Sequence, residues 1–163
     1  MTDMPGGCAC GAMRYHVTEK PLIVHACHCR DCQRHTGSAF VINLWIERKF
    51  VAANDAPLET FRLIAGTGRP HEIYYCPHCG TRLWSHYHAS PGETLLLRAG
   101  TLDDPAAITP DVHIFTRSKL PWVVLPQGAR AFETMYKLAD VWSDESRARL
   151  RASIAEKQQQ AGA

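Results

Sequence analysis

The chain has 163 residues, 45% of them hydrophobic and 21% charged, seven cysteines, and a formal net charge of +2 at pH 7. That length predicts one domain that can bury a core without disulfide staples, and so small a charge provides no basic face for nucleic acid. No apolar run approaches the roughly 18 residues of a membrane span, and Met1 to Met4 lack the basic-then-apolar pattern of a signal peptide, so a cytoplasmic protein with no membrane partner is expected. In a reducing compartment an odd, clustered set of cysteines reads as metal ligands before disulfides, with zinc as the expected ion.

Taken in order, Gly6-Gly7-Cys8-Ala9-Cys10-Gly11 reads as a tight glycine-flanked turn, and Ala12 to Val17 alternates apolar and polar as a half-buried strand does. After Pro21, the short β-rich run Leu22 to Ala26 leads into Cys27-His28-Cys29-Arg30-Asp31-Cys32, where Asp31 is placed to cap one helical turn that Gly37 ends. Phe40 to Ile46 and Leu58 to Ile64 are further strands, separated by the turn Asn54-Asp55-Ala56-Pro57. His71 to Tyr75 runs into Cys76-Pro77-His78-Cys79-Gly80, a zinc-knuckle pattern, and Thr81 to Tyr87 leaves it. Thr94 to Ala99 and Val112 to Thr116 complete the strands. Only Ser143 to about Gln159 is plainly helical, with Leu150 and Ile154 one turn apart, and it is expected to pack weakly or fray. The pattern predicts a mainly β domain over 1–142 and a C-terminal helix or tail over 143–163.

The thiols divide as four plus three. Cys8 and Cys10 with Cys76 and Cys79 make a complete tetrahedral set. Joining pairs more than sixty residues apart costs about 4 kcal/mol of loop-closure entropy, whereas structural zinc in small domains contributes roughly 10–16 kcal/mol. A structural role is therefore assigned to this set. Cys27, Cys29 and Cys32 make only three ligands, and a zinc site with three protein ligands keeps a position for water or substrate. The competing reading closes that site with His28 or His35; on a strand-like C-x-C, His28 points to the opposite face, and His35 reaches only if the turn folds back. Three thiolates on a divalent cation leave a net charge of about −1, which makes hydroxide generation less favourable and thiol chemistry more so.

These blocks resemble the glutathione-dependent formaldehyde-activating (GFA/CENP-V) family of zinc proteins. The likeness runs through Gly7-Cys8-Ala9-Cys10-Gly11 with Arg14-Tyr15, Cys27-His28-Cys29-x-x-Cys32 with Gly37-Ser38, and Cys76-x-x-Cys79-Gly80-Thr81-x-Leu83. Gly100-Thr101-Leu102-Asp103 and His113-Ile114-Phe115 with Pro121-Trp122 extend it over about residues 6 to 122. The resemblance implies stacked antiparallel β-sheets with zinc knuckles, a structural zinc on Cys8, Cys10, Cys76 and Cys79, and a catalytic zinc on Cys27, Cys29 and Cys32, two zinc ions per chain. It also implies a carbon–sulfur lyase activity that forms or breaks the S-hydroxymethyl adduct of glutathione with formaldehyde, making a small thiol and a small aldehyde the expected partners.

Three further residues are candidates for substrate binding. Ser38 follows the central ligands and is placed to donate to a sulfur or substrate oxygen, while Arg34 and Arg98 suit a glutathione carboxylate through their guanidinium forks. His113 reads as a core histidine, and Trp45, Trp84 and Trp122 as core aromatics. Two alternatives stay open at this point: a non-enzymatic zinc module that binds another protein, and a lyase acting on a different thiol adduct. Monomer and homodimer are equally compatible with the sequence.

Overall fold

The computed structural model describes residues 3–161. Ten strands form two sheets. The smaller has the order β1-β2-β5, from Met4–Gly7 (β1), Arg14–Val17 (β2) and Val51–Ala53 (β5). The larger contains Ile23–Cys27 (β3), Val41–Glu47 (β4), Glu59–Ile64 (β6), Pro70–Tyr75 (β7), Arg82–Tyr87 (β8), Thr94–Arg98 (β9) and Val112–Ile114 (β10), in the order β10-β3-β4-β9-β8-β7-β6. The helices are Arg30–Thr36 (α1), Leu138–Val141 (α2) and Asp144–Ala161 (α3). None is long and apolar enough to cross a membrane.

The fold is mainly β, as expected, and the alternating strands fall where their patterns put them. Three details differ. Gly6 and Gly7 belong to β1, paired with Tyr15 and Arg14, so the turn begins only at Cys8. A Cβ on Gly6 would collide with the Tyr15 ring and meet Thr101 O at 2.6 Å, so glycine is needed there for close approach rather than for a bend. One pairing is parallel: β10 lies beside β3 with His113 opposite Ala26, because the chain reaches that edge by a long connection from β9 rather than by a hairpin. The short strand β5 and helix α2 carry too few residues to leave a periodic signal.

The central strands of the larger sheet, β3, β4 and β9, are buried on both faces, whereas β6 at its edge is largely exposed. One face packs against the small sheet through Tyr15, Val17, Leu44, Ile46, Leu95, Leu97 and Trp84, with Tyr15 edge-on to Trp84. The other face carries Ile23, Cys27, Val41, Trp45, Val112 and Ile114 beneath Tyr136, Trp142 and Leu150. Trp45 and Trp84 are therefore core residues, but Trp122 is 71% exposed. It sits in an irregular segment between Pro121 and Pro126, where Lys119 Nζ, not a neighbouring strand, holds the Leu120 and Val123 carbonyls.

Helix α3 does not fray from the sheet at its centre. Leu150 and Ser153 are buried, and Arg149 forks onto the buried Glu47 carboxylate at 2.9 and 2.6 Å.

Candidate metal centres and the cleft beside them

The first cysteine set is built from two turns brought together across the sheets. Cys8 leaves β1 in a turn closed by Gly11 N–H on Cys8 O, and Cys76 follows β7 in a turn closed by Gly80 N–H on Cys76 O. The two turns touch through Ala9 N–H donating to Thr81 Oγ1. The sulfurs of Cys8, Cys10, Cys76 and Cys79 all lie within 4.8 Å of one another, with Cys8 to Cys10 at 3.4 Å and Cys10 to Cys76 at 3.8 Å. A tetrahedral zinc with Zn–S of about 2.3 Å spaces its sulfurs about 3.8 Å apart, so the donor set and its spacing fit the ion.

Protonation within the set is shared. The Thr81 hydroxyl and amide hold Cys79 down to about 5. An amide hydrogen bond from Ala12 favours the Cys10 thiolate, but the thiols of Cys8 and Cys79 outweigh it and push Cys10 up to about 12. A metal ion bound to such a cluster would displace its remaining protons to solvent, since each cysteine ligates as the thiolate.

The second set lies at the end of β3, on the sheet face away from the small sheet. Cys27, Cys29 and Cys32 also lie with their sulfurs within 4.8 Å of one another. Cys29 is the N-cap of α1, its backbone extended at φ −67° and ψ 154° and its sulfur accepting from Cys32 N–H at 3.3 Å. The expected cap, Asp31, lies instead in the first turn and accepts from Gly66 N–H at 2.9 Å. A ligand sulfur has taken the capping position because the C-x-x-C spacing presents it to that amide. Gly37, at φ 64°, ends the helix as the sequence predicts.

Hydrogen bonds from Cys27 and Cys32 hold Cys29 down to about 2, and the same sharing pushes Cys27 far up. For Cys32 the hydrogen bond with Cys27 pulls down, but that with Cys29, burial and the charge on Cys29 raise it to about 12.

No histidine joins this set among the described residues. His28 is fully buried on the opposite side, its Nε2 3.0 Å from His113 Nδ1. His35 turns toward Phe61 and His71 on the β6–β7 hairpin. The three thiols thus offer a metal no fourth protein ligand among the described residues, and a cleft of about 580 Å³ opens against Val41, the strand partner of Cys27. Its walls come from the end of α1 (His35, Thr36), the start of β4 (Val41, Ile42), the Cys79–Gly80 turn with Arg82, and Arg98 with Gly100 and Thr101. One wall is therefore part of the four-cysteine turn itself.

Compared with protein families, residues 3–118 match the model described as glutathione-dependent formaldehyde-activating enzyme. The chain belongs to that family. No curated protein sequence matches it. A crystal structure of a Rhodobacter sphaeroides protein is similar at 20% identity, covering 66% of this chain and 92% of that one, with a TM-score of 0.49.

Within this GFA-family fold, all seven predicted ligands gather into the two expected sets. Arg98 lines the cleft and is 5% exposed, its Nη1 bonded to Asn43 Oδ1. The pairings Cys27 with Val41 and Asn43 with Arg98 put it on the same sheet face as Cys27. Arg34 is exposed on α1. Ser38 is exposed too, its hydroxyl donating to Phe40 O at 2.6 Å and lying 2.7 Å from Thr36 Oγ1.

Two residues beside the cysteine sets carry no signal in the sequence. Arg82 lies in the x position of Cys-Gly-Thr-x-Leu and also lines the cleft. Gln33, buried on α1, donates through Nε2 to His28 O at 2.8 Å and Ser118 O at 2.9 Å, fixing the helix that carries Cys32. A lone glutamine or arginine has many surface uses, so only the fold distinguishes these.

Proposed function

We propose that this protein is a zinc-dependent carbon–sulfur lyase of the GFA family that forms or breaks an S-hydroxymethyl adduct between a small thiol such as glutathione and formaldehyde. The observation that carries this reading is the three-thiol centre with no fourth protein ligand beside an open cleft. Cys27, Cys29 and Cys32 would hold the catalytic zinc, and Cys8, Cys10, Cys76 and Cys79 a structural one. Bound there, zinc supplies Lewis acidity that favours the thiolate form of an incoming thiol.

The rest of the chemistry belongs to the chain. The sulfur lone pair attacks the carbonyl carbon, the carbon–oxygen π pair moves onto oxygen, and that oxygen takes the proton released by the thiol. The reverse direction returns the proton and breaks the carbon–sulfur bond. Arg98, at the cleft wall on the Cys27 face, positions the anionic part of the substrate. Val41, which is buried, and Ile42, which is half-buried, line the cleft and limit water around the reacting pair. Arg34 and Ser38, both exposed, would act at most on the outer parts of a peptide thiol.

The test is zinc per chain measured together with the rate of exchange between free formaldehyde and its glutathione adduct, for wild type and Cys29→Ser. Two zinc ions in the wild type, with exchange above the spontaneous rate that is lost in the variant, is the expected result. One zinc, with both proteins at the spontaneous rate, would overturn the reading.

A further inference from the structure

We propose that the four-cysteine set is also an oxidant-responsive site, in which hydrogen peroxide joins Cys10 and Cys79, its two solvent-facing ligands, in a disulfide that takes over the metal's link between the turns. The proposal rests on the zinc assignment of this set and not on the lyase reading.

The four sulfurs are not equivalent. Each turn contributes one covered and one open thiol: Cys8 and Cys76 are buried, and Cys10 and Cys79 are exposed. The three-cysteine centre presents no exposed sulfur, since Cys27 is buried and Cys29 and Cys32 are half-buried. Cysteine oxidation follows thiolate character and access. Every ligand is a thiolate when zinc is bound, so access decides among them, and it selects the outer pair.

Freedom to move selects the same two residues. Cys8 is held through its N–H on Met13 O, its carbonyl under Gly11 N–H and its sulfur under Met13 N–H at 3.2 Å. Cys76 is held through its N–H on Thr81 O and its carbonyl under Gly80 N–H. Among the described residues no backbone–backbone hydrogen bond fixes Cys10 or Cys79. Their sulfurs already lie within 4.8 Å of each other on opposite turns. The turns also touch without metal, because Ala9 N–H donates to Thr81 Oγ1, which lies 3.2 Å from Cys79 Sγ. A disulfide between the outer pair therefore needs only a small shift of two untethered residues.

The chemistry takes two steps. The Cys79 sulfur attacks one peroxide oxygen, the oxygen–oxygen bond breaks, and the departing oxygen takes a proton and leaves as water, giving a sulfenic acid. The Cys10 thiolate then attacks that sulfur, the sulfur–sulfur bond forms as the sulfur–oxygen bond breaks, and the released hydroxide takes a proton to leave as a second water. The two sulfurs give up two electrons and peroxide accepts both. Two ligands are consumed, and Cys8 with Cys76 cannot complete a tetrahedral zinc site. The disulfide still ties the turn after β1 to the turn after β7. Gly80, next to Cys79, lines the cleft, so oxidation is delivered to the cleft wall.

The test is titration of the zinc-loaded protein with hydrogen peroxide, with zinc release followed by a chromophoric indicator and thiols mapped by alkylation and tryptic digestion. The first zinc equivalent should leave together with a reducible link between the peptides ending at Arg14 and Arg82, which fragmentation places on Cys10 and Cys79. Cys27, Cys29 and Cys32 should remain open to alkylation at that stage. Oxidised protein should melt above protein stripped by a chelator, because the turns stay joined, and reduction with added zinc should restore the starting state. The link should form equally in Cys29→Ser. In Cys10→Ser it should be absent, with the Cys79 sulfenic acid trapped by dimedone; the wild-type map decides even where that variant does not fold.

A link within the Cys76–Cys79 turn, first oxidation at Cys29 or Cys32, or zinc release with no link would overturn the proposal. The expected link in a protein without adduct exchange would sustain it and sink the lyase reading. Adduct exchange above the spontaneous rate in a protein that forms no such link would do the reverse.

Discussion

At the scale of single residues, the three-cysteine centre depends on a side chain that is not a ligand. Gln33 ties α1 to two carbonyls, His28 O between the first two ligands and Ser118 O in the turn after β10. That turn starts at Phe115, whose backbone is left-handed at φ 56° and costs about 1–3 kcal/mol. The donors on Gln33 help to hold it. Gln33→Leu should cost about 1–3 kcal/mol, because the buried His28 carbonyl and the part-buried Ser118 carbonyl lose their partner, and should weaken zinc at the three-cysteine site about tenfold, as loss of an orienting contact does. Gln33→Glu keeps the size but cannot donate, so it should behave like the leucine variant. Urea unfolding gives the first number and competition with a chromophoric chelator the second. A Glu variant indistinguishable from wild type would show that packing, not hydrogen bonding, holds α1.

At the scale of elements, legibility followed periodicity. β2 and β6 alternate over four or more residues and are visible in the sequence, β8 is marked by the knuckle it leaves, and α1 lies between its C-x-x-C and Gly37. β1 is hidden because glycines, which normally mark turns, serve there to admit the Tyr15 ring. The cysteine spacing makes the two ligand sets legible, but the cleft is not, since Arg82, Arg98 and His35 meet only after three separate elements are docked.

Docking of α3 is similarly invisible in its apolar pattern, which is weak because a polar contact does much of the anchoring. Glu47 is 3% exposed in its side chain, and Arg149 is its partner, also donating to Lys20 O at 2.9 Å. Arg149→Met keeps an unbranched apolar stem but removes the guanidinium that lies 5.4 Å from the centre of the Phe50 ring and leaves a buried carboxylate unpaired, so about 3–5 kcal/mol of stability should be lost. Adding Glu47→Leu to that variant should restore most of it, since an apolar pair avoids the desolvation of both charges. Denaturant midpoints for the two single variants and the double variant complete the cycle; additive losses would mean the pair is not coupled.

For the whole molecule, the two cysteine sets predict different consequences of losing a metal. The four-cysteine set joins the turn after β1 to the turn after β7, so it ties the small sheet to the far half of the large one. Closing a loop of that length costs about 4 kcal/mol in the unfolded-state entropy that the cross-link removes. The three-cysteine set closes only a local turn at the end of β3 and constrains little beyond α1. Zinc removal should therefore proceed in two stages as chelator is raised. The first ion, from the three-ligand site, should leave with loss of adduct exchange and little change in melting temperature. The second should leave with a loss of about 4 kcal/mol or more, the contribution of the cross-link, or roughly 10 °C or more for a chain of this size. Cys10→Ser should reproduce the second stage and Cys29→Ser the first, which separates fold from chemistry without a chelator. Metal content and thermal unfolding followed on the same samples provide the check, and a Cys29→Ser protein that melts as low as Cys10→Ser would reverse the assignment of the two sets.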